Sequence, residues 1–129
     1  MYTQTLVEKS IHDGGRLVQA LEDGGLHPKA AFWYFNPELD TWKLMILLPL
    51  MDAGNHQHAY KVVERARMAL RPEVALSLND IHLQSHHSPL VGAVRSSVRS
   101  LPASAREGSH YIGTTVNSQF IADVYIYRI

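Results

Sequence analysis

Apolar positions recur in alternating steps of four and three at Val7, Ile11, Gly14, Val18 and Leu21. That spacing lays one stripe along a helix. It predicts a first helix over about Thr5 to Asp23, stopped by Gly24-Gly25 with Pro28 beyond. Gly14 and Gly15 sit inside the stripe. An interior glycine costs about 1 kcal/mol relative to alanine. Either the helix breaks there or another element packs closely against it.

The period then changes to two. Lys29 to Asn36 (KAAFWYFN) is aromatic-rich and strand-like, with Ala31, Trp33 and Phe35 on one face and Phe32 and Tyr34 on the other. Turn residues follow at 36–40, and Thr41 to Met51 reads as a second strand, so 29–51 predicts a β-hairpin. Pro49 cannot donate to a ladder and marks an edge, a bulge or the strand end. Asn55 is placed to cap a second helix, with Ala59, Val62, Val63, Ala66, Ala69 and Leu70 as its apolar face and Pro72 as its stop. Asn79-Asp80 reads as a bulge or turn before a short strand at about Ile81 to Ser85. Ser88-Pro89 predicts the start of a third helix carrying Leu90, Val91, Val94, Val98 and Leu101.

After a polar loop at 102–109, Tyr111 to Val116 and Ile121 to Ile129 predict a closing hairpin. On its second strand Ile121, Asp123, Tyr125, Tyr127 and Ile129 are expected on one face. Ala122, Val124, Ile126 and Arg128 are expected on the other. The expected fold is α+β, one domain over 1–129 with order α-β-β-α-β-α-β-β. A mostly antiparallel sheet of about five strands would pack against three helices.

Composition narrows the classes. The chain of 129 residues has no Cys, which excludes disulfides, thiolate metal sites and a cysteine nucleophile and fits a cytoplasmic location. The longest apolar run, Leu44 to Met51, is far short of the about 20 residues a bilayer helix needs. No membrane association is expected. With 12 basic and 12 acidic side chains the chain is neutral overall, giving no strong field for nucleic acid. From Ile81 to Arg106, however, there are three Arg, three His and no carboxylate.

Eight His are the most distinctive count. His56 and His58 form one pair, and His82, His86 and His87 a second cluster. Both suggest a zinc or copper site. Geometry weighs against each alone. Residues two apart on a helix do not face each other. His82 and His86 on an extended strand stand about 13 Å apart. His56, His58, His82 and His86 are therefore either ligands brought together by the fold or solvated loop and strand histidines, and no cofactor is expected. Arg95 and Arg99 lie one helical turn apart, with Arg106 beyond. With His86, His87 and His110 they are the candidates for metal-independent phosphodiester chemistry or nucleic-acid binding. The plainer reading is the solvated face of a helix. Asp13, Asp23, Asp52 and Asp80 read as turn and capping residues.

No phosphate loop, dinucleotide glycine motif, serine elbow or zinc-protease motif is present. The two-sided apolar strands carry the leading expectation. If all helices covered one sheet face, Trp33, Phe35, Tyr125 and Tyr127 would form an aromatic patch on the other; the equal alternative is that helices cover both faces and leave no such patch. An aromatic patch points to a non-catalytic interaction domain, a homodimer or a subunit bound to a protein partner.

Overall fold

A computed structural model describes residues 8–36, 40–98, 110–116 and 119–129, with backbone alone for 97, 98, 110–116 and 119–123. Its elements are α1 (Glu8–Asp23), β1 (Ala30–Asn36), β2 (Thr41–Leu47), α2 (Pro49–Asp52), α3 (His56–Ala69), a 3-10 turn (Leu78–Asp80), β3 (Ile81–Gln84), α4 (Pro89–Val98), β4 (His110–Val116) and β5 (Gln119–Arg128). The α+β order expected from periodicity is present, with α2 as an addition. The second strand ends at Leu47 rather than Met51. Pro49 occupies the first turn of α2 instead, where its missing N–H costs nothing.

One five-stranded sheet runs in the order β3-β2-β1-β5-β4. The β1–β2, β1–β5 and β4–β5 pairs are antiparallel, and β2–β3 is parallel. The chain leaves β2, crosses through α3 and returns in β3 alongside it.

α1 runs unbroken through Gly14-Gly15. Gly25 at φ +83° ends it: Leu26 N–H donates to Leu21 O and Gly25 N–H to Glu22 O, the paired bonds of a Schellman stop. Close packing, not a break, accounts for Gly14. A Cβ there would stand 2.5 Å from Tyr127 Oη and 2.9 Å from Trp33 Nε1.

Helices cover both faces of the sheet, the second of the two expected arrangements. α1 and α3 close the face carrying Trp33, Phe35, Leu44, Ile46, Ile81 and Leu83. Val91, Ala93 and Val94 of α4 close the face carrying Phe32, Met45, Leu47, Val124 and Ile126. Alternation along β1 therefore serves two cores at once.

The last strand departs from strict alternation. Ala31 pairs with Arg128, but Phe32 pairs with Ile126, so β5 carries one extra residue at Tyr127. The bulge turns Tyr127 and Arg128 toward the same side. Tyr127 Oη donates to Ile11 O, and Arg128 Nη1 reaches Glu22 Oε1 at 2.6 Å. Ile129 packs instead with the α4 core. The expected grouping of Arg128 with Val124 and Ile126, and of Ile129 with Tyr127, is corrected by this slip of one residue.

Candidate functional site

The expected aromatic patch is inside the molecule. Trp33 is 3% exposed and Phe35 0%, both beneath α1 and α3. Tyr125 and Tyr127 are half-buried at the margin of the same core. Their rings meet edge to face at 5.4 Å. Trp33 Nε1 donates to Tyr127 Oη at 2.9 Å. Burial raises the Tyr127 hydroxyl well above the usual phenol range. These aromatics fasten α1 to the sheet, and Trp33 and Phe35 are not accessible to a partner.

The histidines separate. His56 and His58 lie in the first turn of α3, and His82 is on β3 in register with Met45. Burial, with Lys43 nearby, lowers the pKa of His82. Among the described residues no three His, Asp or Glu side chains gather closely enough to hold a metal ion. Asn55 stands at the cap position of α3, but its side chain makes no capping bond.

His86 is different. Its backbone N–H and its ring Nδ1 each lie 2.7 Å from Asp52 Oδ1. Those two bonds hold the Asp52 carboxyl below its ordinary value. A carboxylate only accepts, so Nδ1 carries the proton and donates. In the neutral ring the lone pair is then on Nε2. The His86 side chain is 57% exposed, and the His87 ring lies beside it with centroids 3.8 Å apart.

The parallel pairing makes this contact. Asp52 follows the carboxyl end of β2, and His86 follows the carboxyl end of β3. Leu48 N–H donates to Gln84 O and ties the two ends together. The carboxyl ends of parallel strands are where α/β sheets place ligands. A tight turn sets the His86-His87 pair: Ser88 N–H donates to Ser85 O and His87 N–H to Ser85 Oγ. α4 begins immediately afterwards, with Ser88 Oγ accepting from Val91 N–H. Sequence alone gave Asp52 a turn role, and only its position at a strand end hinted at more.

Of the remaining phosphodiester candidates, Arg95 Nη2 reaches Lys29 O at 3.5 Å. Lys29 N–H bonds Leu47 O, so Arg95 stands at the same end of the sheet as His86. Arg99 and Arg106 lie outside the described residues. His110 opens β4 opposite Tyr125, and its side chain is likewise outside them. Two surface concavities, of about 600 Å³ beside Tyr60 and Lys61 and about 390 Å³ beside Arg71 and Pro72, contain none of these candidates.

The other carboxylates are structural. Asp80 Oδ2 accepts from Ser77 N–H in a capping box. Asp23 accepts from Gln19 Nε2 at 2.8 Å. Asp13 is no turn residue: it is buried in α1, where Oδ2 accepts from Lys9 Nζ and Ala75 N–H at 3.1 Å each.

The two sheet edges differ. On β3, Leu83 N–H donates to Tyr60 Oη at 3.1 Å, and Ile81 N–H donates to Leu78 O. These are the outward donors of that edge, and both are occupied from within. On β4, no strand among the described residues pairs with the outer side. Residues 110–116 (HYIGTTV) contain no Asp, Glu, Lys, Arg or Pro. No helix of the described residues is long and apolar enough to cross a membrane.

Comparison with models of known protein families, with curated proteins and with solved structures finds no match to this chain.

Proposed function

We propose that this chain is a small cytoplasmic interaction domain that self-associates through the β4 edge. One observation carries the reading: the contrast between its two sheet edges. Proteins blunt exposed edges with charge, proline, bulges or covering groups. The β3 edge has such protection from Tyr60. β4 is seven residues long, without Asp, Glu, Lys or Arg, and in unbroken register with β5. The absence of cysteine supports a reducing compartment.

The register suits a second copy. Val116 and Gln119 flank a two-residue connection. In such hairpins the flanking pair is hydrogen-bonded, which turns the backbone groups of Thr115, Gly113 and Tyr111 outward. These positions are symmetric about Gly113. A two-fold axis there sets Tyr111 opposite the partner's Thr115 and Gly113 opposite the partner's Gly113, a self-complementary contact.

Magnitudes set the strength. Such an edge forms about six main-chain hydrogen bonds at about 0.5–1.5 kcal/mol net each. Association costs about 4–15 kcal/mol in lost freedom. The dimer is therefore concentration-dependent.

Light scattering after size exclusion, over a concentration series at pH 7.5, tests this. The mass should rise from the 14.5 kDa monomer toward twice that value. Gly113→Pro, which removes the central outward donor, and Thr115→Lys, which charges the edge, should each leave a monomer. A monomer at every concentration, or a dimer that survives both substitutions, overturns the proposal.

A further inference from the structure

We infer that His86 is a phosphoryl-accepting site, with Nε2 as the nucleophile and Asp52 as the residue that positions it. The reading stands apart from self-association, since every group it uses lies within one copy.

An imidazole accepts a phosphoryl group well when three conditions hold. The attacking nitrogen must be unprotonated in the neutral ring. The other nitrogen must be held by an acceptor that stabilises the charge formed on attack. The attacking nitrogen must also be reachable. Asp52 meets the first two by accepting from Nδ1 at 2.7 Å, which fixes the tautomer in the way carboxylates orient histidine elsewhere. It also accepts the His86 backbone N–H at 2.7 Å, so ring and main chain are clamped together. The 57% exposure of the side chain meets the third.

The surroundings favour an anionic donor over a neutral acyl one. Asp52 already has its charge engaged by His86. From Ile81 through the end of α4 the chain has no carboxylate. The His87 ring lies alongside, with centroids 3.8 Å apart, and adds no carboxylate. No serine or cysteine takes the nucleophile's place: Ser85 Oγ accepts from His87 N–H and Ser88 Oγ from Val91 N–H. The ring nitrogen itself is left as the attacking group.

With phosphoramidate as donor the step balances. The Nε2 lone pair forms the N–P bond while the P–N bond of the donor breaks, and ammonia leaves with that electron pair. The Nδ1 proton stays on the ring, which becomes cationic against the Asp52 carboxylate. No oxidant, metal or further reactant enters.

The test is incubation of the full chain with potassium phosphoramidate, read by intact mass and phosphorus NMR. One acid-labile, alkali-stable phosphoryl group is expected on His86. His86→Gln should take up none, and His87→Gln should still be phosphorylated on His86. Asp52→Asn should be slower by about ten- to a hundredfold, the scale of loss seen when the group orienting a metal-bound histidine is removed. Long-range proton–nitrogen NMR of the unmodified chain provides a readout that needs no variant to fold. It should show His86 protonated at Nδ1. Labelling spread evenly over the eight histidines, an Nε2–H tautomer at His86, or an Asp52→Asn rate equal to wild type in a folded protein would each overturn the inference.

Discussion

Gly14 stands where Tyr127 Oη leaves no room for a side chain: a Cβ would lie 2.5 Å from that oxygen. The hydroxyl cannot simply swing away, because it accepts from Trp33 Nε1 and donates to Ile11 O. Gly14→Ala should therefore destabilise the fold by about 1–3 kcal/mol despite the better helix propensity of alanine. Gly15→Ala is the control. Its Cβ would meet Tyr127 Cε1 at 3.4 Å, a contact that a small shift accommodates. It should be neutral or up to about 1 kcal/mol stabilising. Urea denaturation of the two variants checks the contrast, and equal losses would remove the close-approach account.

Asp13 joins α1 to the segment after α3. Asp13→Ala strands the Ala75 N–H and takes the carboxylate from Lys9 Nζ, which keeps only its bond to Glu73 O, with an expected loss of about 1–3 kcal/mol. Asp13→Asn keeps an acceptor for Ala75 and should lose less. Amide exchange at Ala75 should speed up in the alanine variant and change little in the asparagine one.

Tyr60→Phe unblocks an edge. It leaves Leu83 N–H without the hydroxyl that accepts it, at a cost of about 1 kcal/mol. It also opens β3 to strand addition, so species larger than a dimer should appear in light scattering at high concentration. An unchanged size distribution would show that α3 shields this edge by its bulk alone.

Glu22 makes stability fall in acid. Its hydrogen bonds from Arg128 and His27 lower its pKa from the ordinary 4.5. A carboxyl with a depressed folded pKa contributes stability that is fully present above the unfolded value. That contribution is lost as pH falls through the folded one. Glu22→Gln should therefore narrow the difference from wild type as pH drops below 4.5, with the larger gap at neutral pH. Thermal unfolding across pH 2.5–7, the range that brackets an ordinary carboxyl near 4.3, follows it.

Much of the fold was legible because periodicity reports local geometry. The helical stripe at Ile11, Gly14, Val18 and Leu21 and the alternation through Trp33 and Phe35 each require only neighbouring residues. What escaped depends on distant pairing. A helix's apolar stripe does not say which sheet face it will meet, so Val91 and Val94 could not be assigned to the side opposite α1. The Tyr127 bulge has no glycine to mark it, and one extra residue reverses the faces of everything after it. The Asp52–His86 contact spans 34 residues and follows from the parallel β2–β3 pair, which single-strand patterns do not encode. The histidine clusters were visible as composition, yet the partner that distinguishes His86 was not.

Trp33 and Tyr127 touch across 94 residues of chain. β1, which lines both cores, thus has one flank completed early by β2 and the other only when β5 arrives. Closing so long a loop is slow compared with forming a local hairpin. During synthesis β1 therefore emerges well before the strand that seals it, and for that interval the protein exposes an unfinished aromatic edge at its centre. The nascent chain's vulnerable surface is thus β1, a different strand from the β4 edge proposed for self-association.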